Sequence, residues 1–261
     1  MPYVCRSIIV VLLFCLTGPS VARGADTEYH HVHLMASDAT EAAAWYIEHM
    51  GCQPYEREAA CRYGHVQVLF IEREADGGSV GTAVDHIGFS FRDLDTKMVE
   101  WKAAGLNVLE DVREIDGLFK LAFIEDPWGT KIEVAQDHED LGLHHLHLRS
   151  PNPTATQAWY QNVFGGQQDR MKGRIDGLRW GRVWLIVSSD TDTDFVPTDT
   201  RSFHHLGWGV EDMAAFVAET KAKGIEFSAE PRQITNSAGQ DLIIAFIVGP
   251  DGALIEIVET L

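Results

Sequence analysis

Apolar and polar positions along this chain switch between two periods. Residues 29–34 have the short, β-prone pattern of a strand, and residues 40–50 read as a helix. Ala42, Ala43, Trp45, Tyr46 and Ile47 supply the apolar side of that helix, and Gly51 stops it. Short strands follow, ending at 66–71, and then the order restarts. Residues 85–91 predict a strand and 96–104 a helix stopped by Gly105; strands follow at 107–109, 118–125 and 130–135. The turn Asp126-Pro127-Trp128-Gly129 joins the last two. Strand, helix, three strands is predicted four times, with starts near 29, 85, 143 and 203.

The recurrence is also one of residues. His31-Val32-His33-Leu34 returns as His145-Leu146-His147-Leu148, at an offset of 114. The same offset carries Trp45-Tyr46 onto Trp159-Tyr160. At an offset of 119, His86 maps onto His205 and Asp93 onto Asp212. At 123, Ala122-Phe123-Ile124 maps onto Ala245-Phe246-Ile247 and Ile132-Glu133 onto Ile255-Glu256. A slowly growing offset means small insertions between matched units, so the chain reads as a tandem duplication. One half spans 28–137 and the other 142–260, with a linker at 137–141.

Residues 1–24 stand apart from this pattern. Arg6 and Arg23 flank a short apolar run, Gly18-Pro19 breaks it, and Ala22-Arg23-Gly24 offers small residues for cleavage, which reads as a signal peptide. The run is too short for a membrane span, so no span is expected in the mature chain; an uncleaved anchor is the alternative. The expected localisation is secreted or periplasmic. Cys52 and Cys61 would then meet an oxidising compartment and are expected to pair, the alternative being two part-buried free thiols.

The net charge of −18, or −20 without residues 1–24, argues against nucleic acid and anionic membranes as partners and leaves a small molecule. The acidic run at 188–194 lacks the glycine and closing glutamate of a calcium loop and reads as a solvated connection. Trp45, Trp159 and the adjoining tyrosines sit at helical positions that read as core packing.

Four βαβββ modules, with His-Val/Leu-x-Leu or Asp-His-Ile-Gly-Phe openings and the closing phrase Asp126-Pro127-Trp128-Gly129-Thr130-Lys131-Ile132-Glu133, resemble the vicinal oxygen chelate superfamily. It includes glyoxalase I, extradiol dioxygenases and bleomycin-resistance proteins. The resemblance implies an α+β fold of two tandem, cup-shaped, half-barrel domains. It also implies a divalent metal in each, of which Zn, Fe, Mn and Ni are all candidates. The implied ligands are a His from the first strand of each of two modules and a Glu from a closing strand: His31, His86 and Glu133, then His145, His205 and Glu256. Two neutral imidazoles and one carboxylate can hold one face of a metal and leave positions open for substrate. Because neighbours in sequence usually pack together, each half is expected to build its own site, giving two metals per chain. The alternative pairs modules across halves, for example His31 with His205.

Strand alternation places His33 and His147 in the cup with the first ligands, as helpers or proton carriers, and turns His30, His144 and His204 the other way, toward packing or solvent. The fourth, carboxylate ligand of glyoxalase I has no counterpart: Val68 falls at its place in the first half, Trp184 and Leu185 in the second. Phe123 and Phe246 stand where the extradiol enzymes are expected to carry a proton-donating Tyr. The cup strands offer only the scattered Arg62, Arg182 and Lys131 for a phosphonate clamp. The expected function is metal-dependent lyase or isomerase chemistry on a small substrate with neighbouring oxygens, Glu133 and Glu256 alternating between ligand and proton acceptor. The alternatives are an iron-dependent extradiol-type dioxygenase and a non-enzymatic ligand-binding protein.

Overall fold

The computed structural model describes residues 27–191 and 194–261, so the leader read from residues 1–24 lies outside it, as do two residues of the acidic run. Within it the βαβββ order holds four times. The first module is β1 (Thr27–Ala36), α1 (Ala39–Met50), β2 (Gln53–Pro54), β3 (Ala60–Tyr63) and β4 (Val66–Glu72). The second is β5 (Val84–Ser90), α2 (Leu94–Ala104), β6 (Asn107–Glu114), β7 (Lys120–Glu125) and β8 (Lys131–Ala135). The third is β9 (Gly142–Ser150), α3 (Pro153–Phe164), β10 (Gln167–Met171), β11 (Ile175–Trp180) and β12 (Val183–Ser189). The fourth is β13 (Phe203–Val210), α4 (Met213–Ala222), β14 (Phe227–Thr235), β15 (Asp241–Val248) and β16 (Leu254–Thr260).

Each α-helix opens on a short side chain that accepts from the third N–H beyond it: Asp38 from Glu41, Asp93 from Thr96, Asn152 from Ala155 and Asp212 from Ala215. These caps satisfy backbone donors that a helix leaves orphaned, and they fix where each helix leaves its strand.

The strands form two open, eight-stranded sheets. Their orders are β14-β15-β16-β13-β1-β4-β3-β2 and β10-β11-β12-β9-β5-β8-β7-β6. The first sheet therefore joins modules one and four, and the second joins modules two and three. The expectation that each half builds its own cup is overturned, and the cross-half alternative is what the fold adopts. Connection lengths give the reason. Only six residues (136–141) separate β8 from β9, whereas 73–83 and 190–202 separate the other modules. A link that short delivers β9 onto the free side of β5, antiparallel to it, and leaves β13 to pair with β1.

The helix-facing sides of both sheets contribute to one apolar core, in which Tyr46, Trp101, Tyr160, Phe164 and Trp208 are fully buried. Phe164 stacks on Trp208 with ring centroids 4.2 Å apart. Trp45 and Trp159 pack against this core, as their helical spacing implied. The opposite side of each sheet carries a histidine cluster: His31, His33 and His205 on one, His86, His145 and His147 on the other. Cys52 and Cys61 form a disulfide, with Cα atoms 5.7 Å apart, that ties the start of β2 to β3.

Candidate metal centres

The candidate ligands come together in two matched clusters, one on each sheet. His31 and His33 of β1, His205 of β13 and Glu256 of β16 form cup A. His145 and His147 of β9, His86 of β5 and Glu133 of β8 form cup B. All six sequence-predicted residues fall in these clusters, but in exchanged sets: His31 meets His205 and Glu256 rather than His86 and Glu133. His33 and His147, expected as helpers, stand among the candidate ligands themselves, since one ligand atom from each residue of a cluster lies within 4.8 Å of the others.

In cup A, Glu256 Oε2 lies 2.8 Å from His205 Nε2 and 3.2 Å from His31 Nε2, and the two Nε2 atoms are 3.4 Å apart. His33 Nδ1 lies 2.6 Å from His205 Nε2 and 3.7 Å from Glu256 Oε2. In cup B, Glu133 Oε2 lies 3.2 Å from His86 Nε2 and 3.7 Å from His145 Nε2, which are 3.3 Å from each other. His147 Nε2 bonds Ser188 Oγ at 2.6 Å, while its Nδ1 is buried without a partner. Two imidazole nitrogens bound at ~2.0–2.1 Å to one tetrahedral ion would sit about 3.3 Å apart, which is the separation in both cups. An orphaned ring nitrogen beside them is the kind of buried polar atom that a cation satisfies.

Protonation suits the same role. Burial lowers His205, His145 and His147 well below the usual imidazole range and His33 to about 4, so these rings are neutral at pH 7. Burial would raise the two glutamates, but the neighbouring histidines outweigh it and hold Glu133 at about 2 and Glu256 well below its ordinary value. Neutral imidazole and ionised carboxylate are the forms that ligate.

Two glycines make room. A Cβ on Gly207 would fall less than 3.0 Å from three atoms of the His31 ring, and one on Gly88 equally close to the His145 ring. Each lies two residues beyond a ligand, where the partner strand carries His33 or His147. Glu256 and Glu133 pair in register with Gly207 and Gly88. On the opposing modules the matching positions are Leu69, paired with His33, and Ile186, paired with His147. The missing carboxylate thus corresponds to Leu69 and Ile186, one residue past the expected Val68 and one or two past Leu185 and Trp184. Where the second glutamate is absent, a histidine on the neighbouring strand offers the fourth donor.

The residues before the ligands correct the alternation argument. Pairing of β1 with β13 skips His30 and His204, and pairing of β5 with β9 skips Asp85 and His144. Each is the extra residue of a β-bulge, and a bulge re-aims a side chain that strict alternation would send to the far face. His30, His144 and His204 each bring Nδ1 to the Nδ1 of the next histidine, at 2.8, 2.9 and 2.6 Å. Asp85 Oδ1 takes the same place on His86 Nδ1, at 2.5 Å. The Nε2 atoms of His31, His86, His145 and His205 are thereby turned toward one another and the glutamates. The repeated pair of a polar residue and a histidine at 30–31, 85–86, 144–145 and 204–205 is the sequence signal of this arrangement.

The cups differ in lining. On the concave side of cup B, Phe119, Leu121, Phe123, Met171, Trp184 and Ile186 form a separate buried apolar cluster. Phe123 packs edge-on against His86, as Phe246 does against His205. Neither ring supplies a proton.

The sequence matches the Glyoxalase/Bleomycin resistance protein/Dioxygenase superfamily over residues 28–134 and again over 142–257. The chain belongs to that superfamily. Among solved structures, glyoxalase I from Zea mays superposes with a TM-score of 0.66 at 16% identity, covering 89% of this chain and 92% of that one. A Bacillus subtilis protein described as a dioxygenase superposes with a TM-score of 0.61 at 14% identity, covering 91% and 86%. At such identities the likeness shows the fold alone. No curated protein matches the chain.

Proposed function

We propose that the protein is a divalent-metal-dependent enzyme of lyase or isomerase type, acting on a small substrate with two neighbouring oxygens. The observation that carries this reading is the pair of largely buried clusters of three histidines and one glutamate, one on each sheet. A divalent ion bound there would act as a Lewis acid toward an enolate or oxyanion. Around it, His31, His205 and Glu256, or His86, His145 and Glu133, would hold the ion. His33 and His147, neutral at pH 7, would complete the set or accept a proton from substrate. Glu256 and Glu133 each have a second carboxylate oxygen with which to take up a proton while the first stays on the ion.

The identity of the ion, among Zn, Fe, Mn and Ni, stays open in this proposal. The leader at 1–24 and the Cys52–Cys61 disulfide support a secreted or periplasmic setting. Among the described residues no helix is long and apolar enough to cross a membrane.

The test is turnover of thiol adducts of α-oxoaldehydes by protein stripped of metal and then reloaded with each ion, with dissolved oxygen monitored. The expected result is metal-dependent isomerisation with proton exchange at the substrate carbon and no oxygen uptake. Oxygen consumption on catechols would replace this reading with the dioxygenase alternative, and binding without turnover would replace it with the ligand-binding one.

A further inference from the structure

The two cups match in their ligands and differ in what stands behind them. In cup B both ligand histidines lead to a carboxylate. Asp85 bonds His86 directly at 2.5 Å and is itself held by Lys131 Nζ at 2.9 Å. His144, behind His145, reaches Asp137 Oδ2 at 3.4 Å, and Asp137 is held by Lys172 Nζ at 2.8 Å. Asp85, His144 and Asp137 are all buried.

Cup A has neither carboxylate. The duplication offsets put His204 where cup B has Asp85, and Thr260 where it has Asp137. His30, behind His31, is backed by the Gln67 amide at 3.4 Å, and it borders an open surface cleft lined by Glu28, Glu211 and Thr260. Both His30 and His204 are only half-buried.

A carboxylate that accepts the Nδ1–H of a ligand histidine fixes its tautomer, orients the ring and raises the electron density at Nε2. Removing such a partner typically costs about 10–100-fold in metal affinity. A neutral imidazole behind the ring can fix the tautomer but brings no negative charge. Lys131 and Lys172 temper the charge of Asp85 and Asp137. Asp85 Oδ1 lies 2.5 Å from His86 Nδ1 and 2.9 Å from Lys131 Nζ, so the carboxylate rather than the ammonium is the group in contact with the ligand ring.

We infer that the cups are unequal metal sites, the His86/His145/Glu133 cup binding a divalent cation at least about ten-fold more tightly than the His31/His205/Glu256 cup. The inference rests on the metal-site reading above. Asp85 and Asp137 act as positioning residues, through His86 and His144, and cup B fills first when metal is scarce.

The test is cobalt(II) titrated into the metal-stripped full-length protein in competition with a chelator of known affinity, followed by the visible absorption of the bound ion. His31→Ala/Glu256→Ala leaves only cup B, and His145→Ala/Glu133→Ala leaves only cup A. The expected result is about ten-fold or tighter binding in the first parent. Adding Asp85→Asn to it should remove about ten-fold. Adding His204→Asp to the second parent should tighten cup A, an arm that decides the matter even if Asp85→Asn fails to fold. Equal affinities in the two parents, or tighter binding in the second, would overturn the inference while leaving the metal reading intact. No cobalt bound by either parent or by the unmutated chain would overturn both.

Discussion

At the scale of single residues, the cups depend on what is absent as much as on what is present. Gly88 and Gly207 leave the space that the His145 and His31 rings occupy. In Gly207→Ala the new methyl falls on the His31 imidazole and must displace it. The expected outcome is the loss of cup A metal from a chain that stays folded, at a cost of about 1–3 kcal/mol from overpacking. Metal per chain by elemental analysis, read beside a denaturation curve, checks both parts. Unchanged metal content would mean that His31 is not a ligand.

Asp126 offers a second test, away from the metal. It lies in the turn between β7 and β8 and accepts from the Tyr46 hydroxyl at 2.8 Å and from the Trp128 and Thr130 amides. Burial nonetheless raises it to about 6, against an ordinary value of 3.8. A raised carboxyl contributes stability that is complete below the unfolded value and is lost as pH rises through the folded one. The loss over roughly pH 4–6 is on the order of 3 kcal/mol. Asp126→Asn keeps an acceptor for the two amides and cannot ionise. Its urea midpoint should therefore fall less than that of the unmutated chain between pH 4.5 and 7; parallel pH dependences would contradict the assignment.

At the scale of elements, the helices and strands were legible because each declares itself locally. Apolar period and a stopping glycine mark α1 and α2 within a residue or two of where they lie. The bulges were not legible from alternation, because alternation assumes an unbroken ladder. A single extra residue in each first strand reverses the facing of His30, His144 and His204. The repeated polar–His pair was visible, but its meaning depends on a register that only the paired strand defines.

The disulfide is a further feature at this scale. β2 is a two-residue edge strand, held to β3 by few ladder bonds, and Cys52–Cys61 closes the short loop between them. Constraining a loop of that length is worth about 2–3 kcal/mol in the chain-entropy account. Cys52→Ser/Cys61→Ser should lower the unfolding free energy by that amount without changing metal content, and reductant should lower the unmutated chain alike. Loss of metal from cup A in the double variant would show instead that this edge supports the site.

For the molecule as a whole, the duplication was legible in its offsets, and the six candidate ligands in the residues that recur at them. Their partnership was not, because the rule that neighbours pack together was applied to halves rather than to modules. Applied to modules, the six-residue link between β8 and β9 points to the pairing observed. Cup A is thereby built from residues up to 225 positions apart in the chain and cup B from residues within 61, His86 to His147. Cup A closes only when the two ends of the chain meet, so its assembly has the larger loop-closure cost.

Cross-half pairing is the claim on which the two centres stand, and metal content of two double variants tests it most directly. His31→Ala/His205→Ala removes two ligands of cup A and should retain one metal per chain. His31→Ala/His86→Ala removes one ligand from each cup and should retain none. The reverse outcome, no metal in the first variant and one in the second, would mean that each half of the chain holds its own ion and would contradict the account.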